Sequence, residues 1–462
     1  MPVPRRRWLI ASLLGFGVFV NYLDRVNISV SQQALHDAFG VSTITFGYLL
    51  SGYSWTYAAM QLPSGVLLDR FGVRRVGCIS TLLWSVASFC SAAASGVGSF
   101  FVARLLLGIG EAPTFPGNSK AVGYWFPDRE RSLATAFFDS AAKLGPALAA
   151  GNTIVLKPAP DTPWCAAVLG EIITEHTDFP PGVVNIITST DHGVGALLAK
   201  DPRVDMVSFT GSTATGRSVM SDAAVTLKKV FLELGGKSAF VVLDDADLNG
   251  ACSVSAFTAS MHAGQGCAIT TRLVVPRAKY DEAVAIAAGT MGSIKPGDPN
   301  KPGTVCGPVI SARQRDRVQS YLDLAIAEGG TFACGGGRPA DRDTGFFIEP
   351  TVIAGLDNDA RPAREEIFGP VLTVIAHDGD ADALRIANDS PYGLSGTVFS
   401  ADPERAAKFA AGMRVGTVNV NGGVWYSADA PFGGYKQSGN GREMGLAGFE
   451  EYLEIKTIAT AV

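Results

Sequence analysis

The sequence predicts two fold classes in series, a membrane-type segment of about four α-helices followed by a parallel α/β body. Three observations predict this. Residues before about 125 hold several apolar runs near the roughly 20 residues that about 30 Å of hydrocarbon requires. After about Gly145, charged and apolar residues mix as they do in a water-facing protein. There, short β-rich runs also alternate with helical ones, the pattern of a parallel sheet. The whole-chain averages (462 residues, 47% hydrophobic, net charge −5, mean hydropathy +0.21) conceal the break because they sum over it.

The mild acidity excludes a nucleic-acid partner. Seven cysteines, scattered singly with no CxxC or Cys/His cluster, fit a reducing compartment, so neither a disulfide framework nor a metal is expected. Arg5, Arg6 and Arg7 precede an apolar run in the manner of a secretory signal. No small-residue cleavage site follows, and further apolar runs do, so the expectation is a first spanning helix at Trp8–Val30. Further spans are expected at Thr45–Leu67, Val76–Ala94 and Gly98–Gly117. The basic residues Arg5–Arg7, the loop Asp69–Arg75 and the segment Asp128–Arg131 then share one side, which the positive-inside rule makes cytoplasmic.

Within these spans the stretch Gly65-Val-Leu-Leu-Asp69-Arg70-Phe-Gly72-Val-Arg74-Arg75 is the most specific feature. It resembles the loop between the second and third helices of major facilitator superfamily transporters. Tyr22-Leu-Asp24-Arg25-Val-Asn27, and the run from Arg104 through Glu111 to Pro116, are similar to the organic-anion, hexuronate-like subgroup. The resemblance implies that Arg25 faces a carboxylate substrate, because an ionisable residue at membrane depth is costly and usually functional. The alternative is that Asp24 and Arg25 pair with one another or snorkel to the interface. A complete transporter of this family has twelve helices, and about residues 1–142 supply only four and the start of a fifth.

The chain changes character in the fifth helix. Arg131–Ser140 still fits a transporter helix, whereas Lys143-Leu-Gly-Pro, continuing to Gly151-Asn152-Thr-Ile-Val-Leu-Lys157-Pro, resembles the aldehyde dehydrogenases running from a helix into a strand. The stretch Ala142–Ala147 suits both families. From Lys143 to Val462 this second resemblance is continuous. It rests on Thr210-Gly211-Ser212-Thr-Ala-Thr-Gly216, Phe231-Leu-Glu233-Leu-Gly235-Gly236-Lys237, Gly264-Gln265-Gly266-Cys267, Glu365-Glu366-Ile-Phe368-Gly369-Pro370 and Pro431-Phe432-Gly433-Gly434-Tyr-Lys436-Gln-Ser438-Gly439.

The resemblance implies an oxidoreductase that converts an aldehyde to a carboxylate with NAD or NADP. A glycine turn feeding a helix presents free N–H groups to a phosphate, and the family places the cofactor on Gly211, Ser212 and Gly216, with Lys157 on the adenosine ribose. Glu366 is implied for the nicotinamide ribose and Phe368 for the ring border. A surface glutamate is otherwise a solvent-facing charge. Pro160 stands where many NAD-selective members carry a glutamate, which leaves NAD against NADP open. Cys267 is implied as the nucleophile, with Glu233 activating the hydrolytic water. The other six cysteines are expected to be packing residues.

Four regions are therefore expected: transporter-like helices at 1–142, a partial cofactor domain at 143–235, a catalytic domain at 236–440, and a carboxyl-terminal oligomerisation strand and tail at 441–462. The α/β part is expected to be an incomplete Rossmann-type domain joined to the catalytic one. No Pro-Trp-Asn-Phe run occurs in the sequence, so the family's oxyanion-donating asparagine and its strand are missing. One such donor is worth roughly 10²–10³ in rate. Losing a strand bares an unpaired ladder. The expected partners are a small aldehyde and a lipid bilayer, with a homo-oligomer weakened by loss of the pairing hairpin and the enzyme part on the cytoplasmic side. The alternatives are a transporter fragment or a fusion in which neither part works.

Overall fold

The computed structural model describes residues 17, 20, 32–125, 145–301, 303–422 and 430–460. The first expected span, including Asp24 and Arg25, and the junction residues 128–143 lie outside the described residues, apart from two helical positions at Gly17 and Val20. The chain divides into two compact units. The first comprises Met1–Thr190, Ser427–Pro431 and Glu443–Val462; the second comprises Asp191–Tyr426 and Phe432–Arg442.

In the first unit, helices run over Gln32–Phe39, Thr43–Phe71, Val73–Ala92, Val97–Glu111 and Thr114–Trp125. Ser42 caps the second of these by accepting from Thr45 N at 3.2 Å, which satisfies one of the amides a helix start leaves orphaned. Gly72, with φ +80°, ends it and lets the next helix begin one residue later. Asp69 pairs with Lys120, so the acidic residue of the loop motif ties the end of one helix to Thr114–Trp125. The span expected at Gly98–Gly117 is broken into two helices around Ala112 and Pro113. Proline supplies no N–H and its ring crowds the preceding turn. Among the described residues only Val73–Ala92 is long and apolar enough to cross a membrane, against the three spans expected there.

Backbones in this helical part approach closely at glycines. A Cβ at Gly110 would lie 2.8 Å from Trp84 N, and one at Gly108 would lie 3.0 Å from Tyr57 N. The polar groups lie inside: Arg104 and Glu111 are buried, Tyr53 Oη donates to Glu111 Oε2 at 2.6 Å, and Arg104 sits 5.0 Å over the Tyr53 ring. The outside is apolar, with Ile79, Leu82, Val86 and Phe89 of one helix all exposed. Their spacing of three and four residues makes one stripe. Cys78 and Cys90, expected to be packing residues, are exposed on the same helix.

The first unit also holds β1 (Ile154–Leu156) and β2 (Val184–Ile186), paired in parallel on either side of the helix Pro163–His176. Within the 441–462 region expected to hold an oligomerisation strand, Tyr452–Ile458 alternates apolar and polar residues but forms no strand in the single chain. Its alternating apolar residues find no ladder among the described residues, and Ile455 is 99% exposed. A strand pattern without a neighbour has no partner for its backbone groups.

The second unit is built on a seven-stranded sheet in the order β12-β11-β5-β6-β9-β8-β7, with residue ranges β5 Ser238–Val242, β6 Thr270–Pro276, β7 Thr331–Cys334, β8 Thr351–Ala354, β9 Val371–His377, β11 Ser395–Phe399 and β12 Thr417–Val420. Only the β7–β8 pair is antiparallel. Both faces are covered, so the strands read as continuous apolar runs. Phe240, Val242, Leu273 and Val275 pack under the helices Leu248–Ser260 and Tyr280–Ser293, while Ala239, Val241, Leu243 and Val274 face Asp380–Asn388 and Pro403–Gly412. The period of two is complete.

A second, smaller sheet joins β3 (Met206–Thr210), β4 (Lys229–Glu233) and β14 (Gly439–Asn440) in the order β14-β4-β3, and β10 (Tyr392–Gly393) pairs antiparallel with β13 (Tyr435–Lys436). The cofactor-side strands expected in one sheet are thus divided, β1 with β2 and β3 with β4. No strand among the described residues covers the outer edge of β3. In the first unit Val155 and Trp164 are at least 45% exposed, as is Leu197 in the second, whereas every residue of β5 is buried.

Replacing Gly110 by Leu should force the helices Val73–Ala92 and Val97–Glu111 apart, since the clash is with backbone. The expected result, read by limited proteolysis of the full chain, is rapid cleavage between residues 92 and 111 with the fragment 230–420 still resistant.

Candidate active site

Glu233 is the last residue of β4 and is only 4% exposed. Its position is fixed on both sides: it pairs with Thr210 of β3 and with Gly439 of β14, and its carbonyl accepts from Gly211 N at 3.1 Å. The glycine turn Thr210–Ser212 and the carboxylate are therefore built on adjacent strand ends. The helix Thr213–Ala223 begins there, with Ser212 as its cap accepting from Thr215 N. Gly211 and Ser212 are exposed and Gly216 is buried. A Cβ at Gly216 would meet Leu234 Cδ1 at 2.7 Å, so the missing side chain lets the helix sit close to the exit of β4.

Past Glu233 the chain turns through Gly235 and Gly236. A side chain at Gly235 would overlap the Glu366 carboxylate, whose Oε1 accepts from Gly236 N at 3.1 Å. A Cβ at Gly236 would lie 3.2 Å from the Cys267 carbonyl oxygen. The fully buried Ser438 closes the turn from the other side, its hydroxyl donating to Gly235 O at 2.7 Å and accepting from Gly393 N at 2.9 Å. A Cβ at Gly433 would be 3.0 Å from Glu233 Oε1. One two-glycine turn thus gathers Glu233, Cys267, Glu366 and the loop 432–439. Around it lies a cleft lined by residues including Gly236, Gly264, Gly266, Glu366 and Phe368.

Cys267 is half-buried and follows three consecutive left-handed residues, His262, Ala263 and Gly264, with φ of 51°, 54° and 68°. Gly264 is required twice over, by its φ and because a side chain would run into the Gly369 carbonyl. Cys252 and Cys306 are buried, which pushes their thiols up to about 12, and burial also raises Cys165 and Cys334. These thiols stay protonated at neutral pH and are poor nucleophiles.

Glu366 is half-buried, and burial pushes its carboxyl up against the opposing pull of the Gly236 N–H. It is therefore not the solvent-facing charge that a surface glutamate is by default. Phe368, at φ +61°, stands beside it. Lys157 lies in the other unit after β1, half-buried, with Nζ donating to Pro158 O at 3.1 Å.

The sequence reading missed Lys237 and Arg272. Both are buried; Arg272 is held by Asn358 and by the carbonyls of Lys237, Ile386 and Ala387, while no hydrogen bond to Lys237 Nζ is found among the described residues. Burial first, and then the Arg272 charge, lowers the Lys237 ammonium to about 7. Nothing in the spacing distinguishes Lys237 from a solvated lysine.

A Lys whose folded-state pKa is depressed costs stability below that pKa, and the cost vanishes as pH rises through the unfolded value near 10.4. Lys237→Met should therefore raise the melting temperature of the second unit at pH 6. The gain should shrink steadily between pH 7 and pH 10, as read by thermal unfolding across that range.

The backbone of the loop that carries Cys267, the strand end that carries Glu233 and the segment that carries Glu366 thus converge on one two-glycine turn, next to the start of the helix Thr213–Ala223. The family model for the aldehyde dehydrogenase family matches residues 136–458, and this chain belongs to that family. The major facilitator superfamily model matches residues 14–164, so the two matches overlap at the junction. A 3-succinoylsemialdehyde-pyridine dehydrogenase from a Pseudomonas species is 48% identical over 319 residues, covering 69% of this chain and 66% of the relative. An aldehyde dehydrogenase of Mycobacterium tuberculosis, solved with NAD+, superposes with a TM-score of 0.66 at 46% identity, over 68% of this chain and 65% of that one. A Staphylococcus aureus betaine aldehyde dehydrogenase, also with NAD+, gives a TM-score of 0.65 at 40% identity, over 68% and 63%. The chain spans about two thirds of the length of these relatives.

Proposed function

We propose that the chain oxidises an aldehyde to a carboxylate with NAD or NADP through a thioester on Cys267. The observation that carries this is the convergence of Glu233, Glu366 and the Cys267 backbone on the Gly235–Gly236 turn. The residues suit the cofactor: the helix start at Ser212 offers unpaired first-turn N–H groups to a pyrophosphate, and the side-chain-free turn seats Glu366 beside the cleft. In this reading Gly211, Ser212 and Gly216 hold the pyrophosphate, Glu366 the nicotinamide ribose, Phe368 the ring border and Lys157 the adenosine ribose. Bound NAD(P) supplies the two-electron hydride acceptor.

The Cys267 thiolate adds to the aldehyde carbon, forming a C–S bond and a tetrahedral thiohemiacetal. Once that carbon is oxidised, the acyl group remains on Cys267 as a thioester. Glu233 takes a proton from water, the hydroxide attacks the thioester carbonyl, and the C–S bond breaks to return the thiolate and release the acid. The left-handed loop before Cys267 and the strand pairing of Glu233 hold both groups without help from substrate. The partition into a cofactor part at 143–235, a catalytic part at 236–440 and a tail at 441–462 belongs to the same reading.

The first 142 residues are read as a major facilitator fragment that anchors the chain in a bilayer, with the dehydrogenase part on the cytoplasmic side. Support comes from the family match and from the inverted distribution of the helices, polar Arg104 and Glu111 inside and the stripe Ile79, Leu82, Val86 and Phe89 outside. Transport as the activity of this chain is not favoured, since the similar proteins described above are dehydrogenases.

Membranes carrying the full chain should reduce NAD(P)+ when given a panel of aldehydes, and Cys267→Ser should abolish the signal. Glu233→Gln should give about one reduced cofactor per chain in a stopped-flow burst, then turnover slowed by at least about a hundredfold, within the range for losing a positioned base. Equal rates for the wild type and Cys267→Ser would end this reading.

A further inference from the structure

The segment that carries Glu366 and Phe368 has no secondary structure of its own, yet its backbone is held at every residue by one helix. Gln314 Nε2 donates to Ile367 O at 3.0 Å and to Phe368 O at 2.8 Å, and Arg317 Nη2 donates to Glu366 O at 2.7 Å. Tyr321 Oη donates to Glu365 Oε2 at 2.5 Å, and the Arg317 guanidinium lies 5.2 Å over the Tyr321 ring. Residues 314, 317 and 321 are spaced three and four apart on the helix Ala312–Ala327, so they form one face.

This face does more than pack. Phe368 is left-handed, a conformation costly for a bulky residue, and the two carbonyls flanking its conformation are the ones Gln314 captures. Next on the same face, Val318 Cγ2 would be 2.5 Å from a Cβ at Gly369, so the helix also fixes the height of that glycine. The Gly369 carbonyl in turn abuts Gly264, three residues before Cys267. A continuous path of contacts runs from the helix through residues 365–369 to the thiol loop.

We propose that the Gln314–Arg317–Tyr321 face is a positioning device that sets Glu366 and Phe368 against the Cys267 loop. In catalytic terms this rests on the aldehyde-oxidising reading. Gln314 is the central element, because it alone bonds both carbonyls around the left-handed residue. It touches no reacting atom. Its effect passes through the backbone of 366–368.

The test compares Gln314→Ala and Gln314→Lys in the full chain. Alanine removes both donors and favours the helix, while lysine restores an ammonium donor of similar reach. Hydrogen exchange without ligand should speed about tenfold across residues 364–370 in Gln314→Ala, with Leu248–Ser260 unchanged as the folding control. Gln314→Lys should recover most of that protection. In turnover, the KM for NAD(P)+ should rise about tenfold in Gln314→Ala with the aldehyde KM within twofold. Unchanged exchange at 364–370 in Gln314→Ala, or lysine behaving like alanine, overturns the proposal. Absence of cofactor reduction by the wild-type chain would instead defeat the dehydrogenase reading, and the exchange result would still decide the positioning role.

Discussion

The site depends on the absence of side chains at Gly235 and Gly236. The Glu366 carboxylate occupies the volume that a Cβ at 235 would need, and the Cys267 backbone packs 3.2 Å from the corresponding position at 236. Ser438 then locks the same turn through two hydrogen bonds. Four segments far apart in the chain converge on two residues that contribute only backbone. A methyl group there would not trim one contact. It would separate all of them, because protein interiors are too densely packed to absorb the volume.

The two sheets of the α/β part stand in contrast. The seven-stranded sheet is buried on both faces and its strands alternate between two helix layers. The strands on the cofactor side are short, partly exposed and divided between two sheets. Cys267 lies just ahead of β6 of the well-covered body, whereas Glu233 ends β4 and is held by β3 and β14 of the smaller sheet. The groups assigned to the adenosine end, Lys157 above all, rest on the less covered part.

Much of the site was legible because its residues lie in short motifs with fixed offsets: Glu233 to Gly236, Gly264 to Cys267 and Glu366 to Phe368. The parallel sheet was legible from alternating strand and helix patterns. Long-range partnerships were not. Gln314 sits in a polar helix whose charges read as an ordinary solvated face, and only the fold brings it to Ile367 and Phe368. Lys237 carries no local sign of burial. The tail Tyr452–Ile458 alternates as a strand does, yet an alternating pattern specifies a strand only when another strand is there to receive it, and the break at Pro113 was overridden by hydropathy in the reading of Gly98–Gly117.

The run of His262, Ala263 and Gly264 has an evolutionary corollary. Two side-chain-bearing residues held left-handed in succession withhold stability that glycine at 262 or 263 would release. Such a gain would also widen the range of shapes open to the thiol. Stability and a fixed path for the chain that leads to Cys267 therefore pull in opposite directions at these positions.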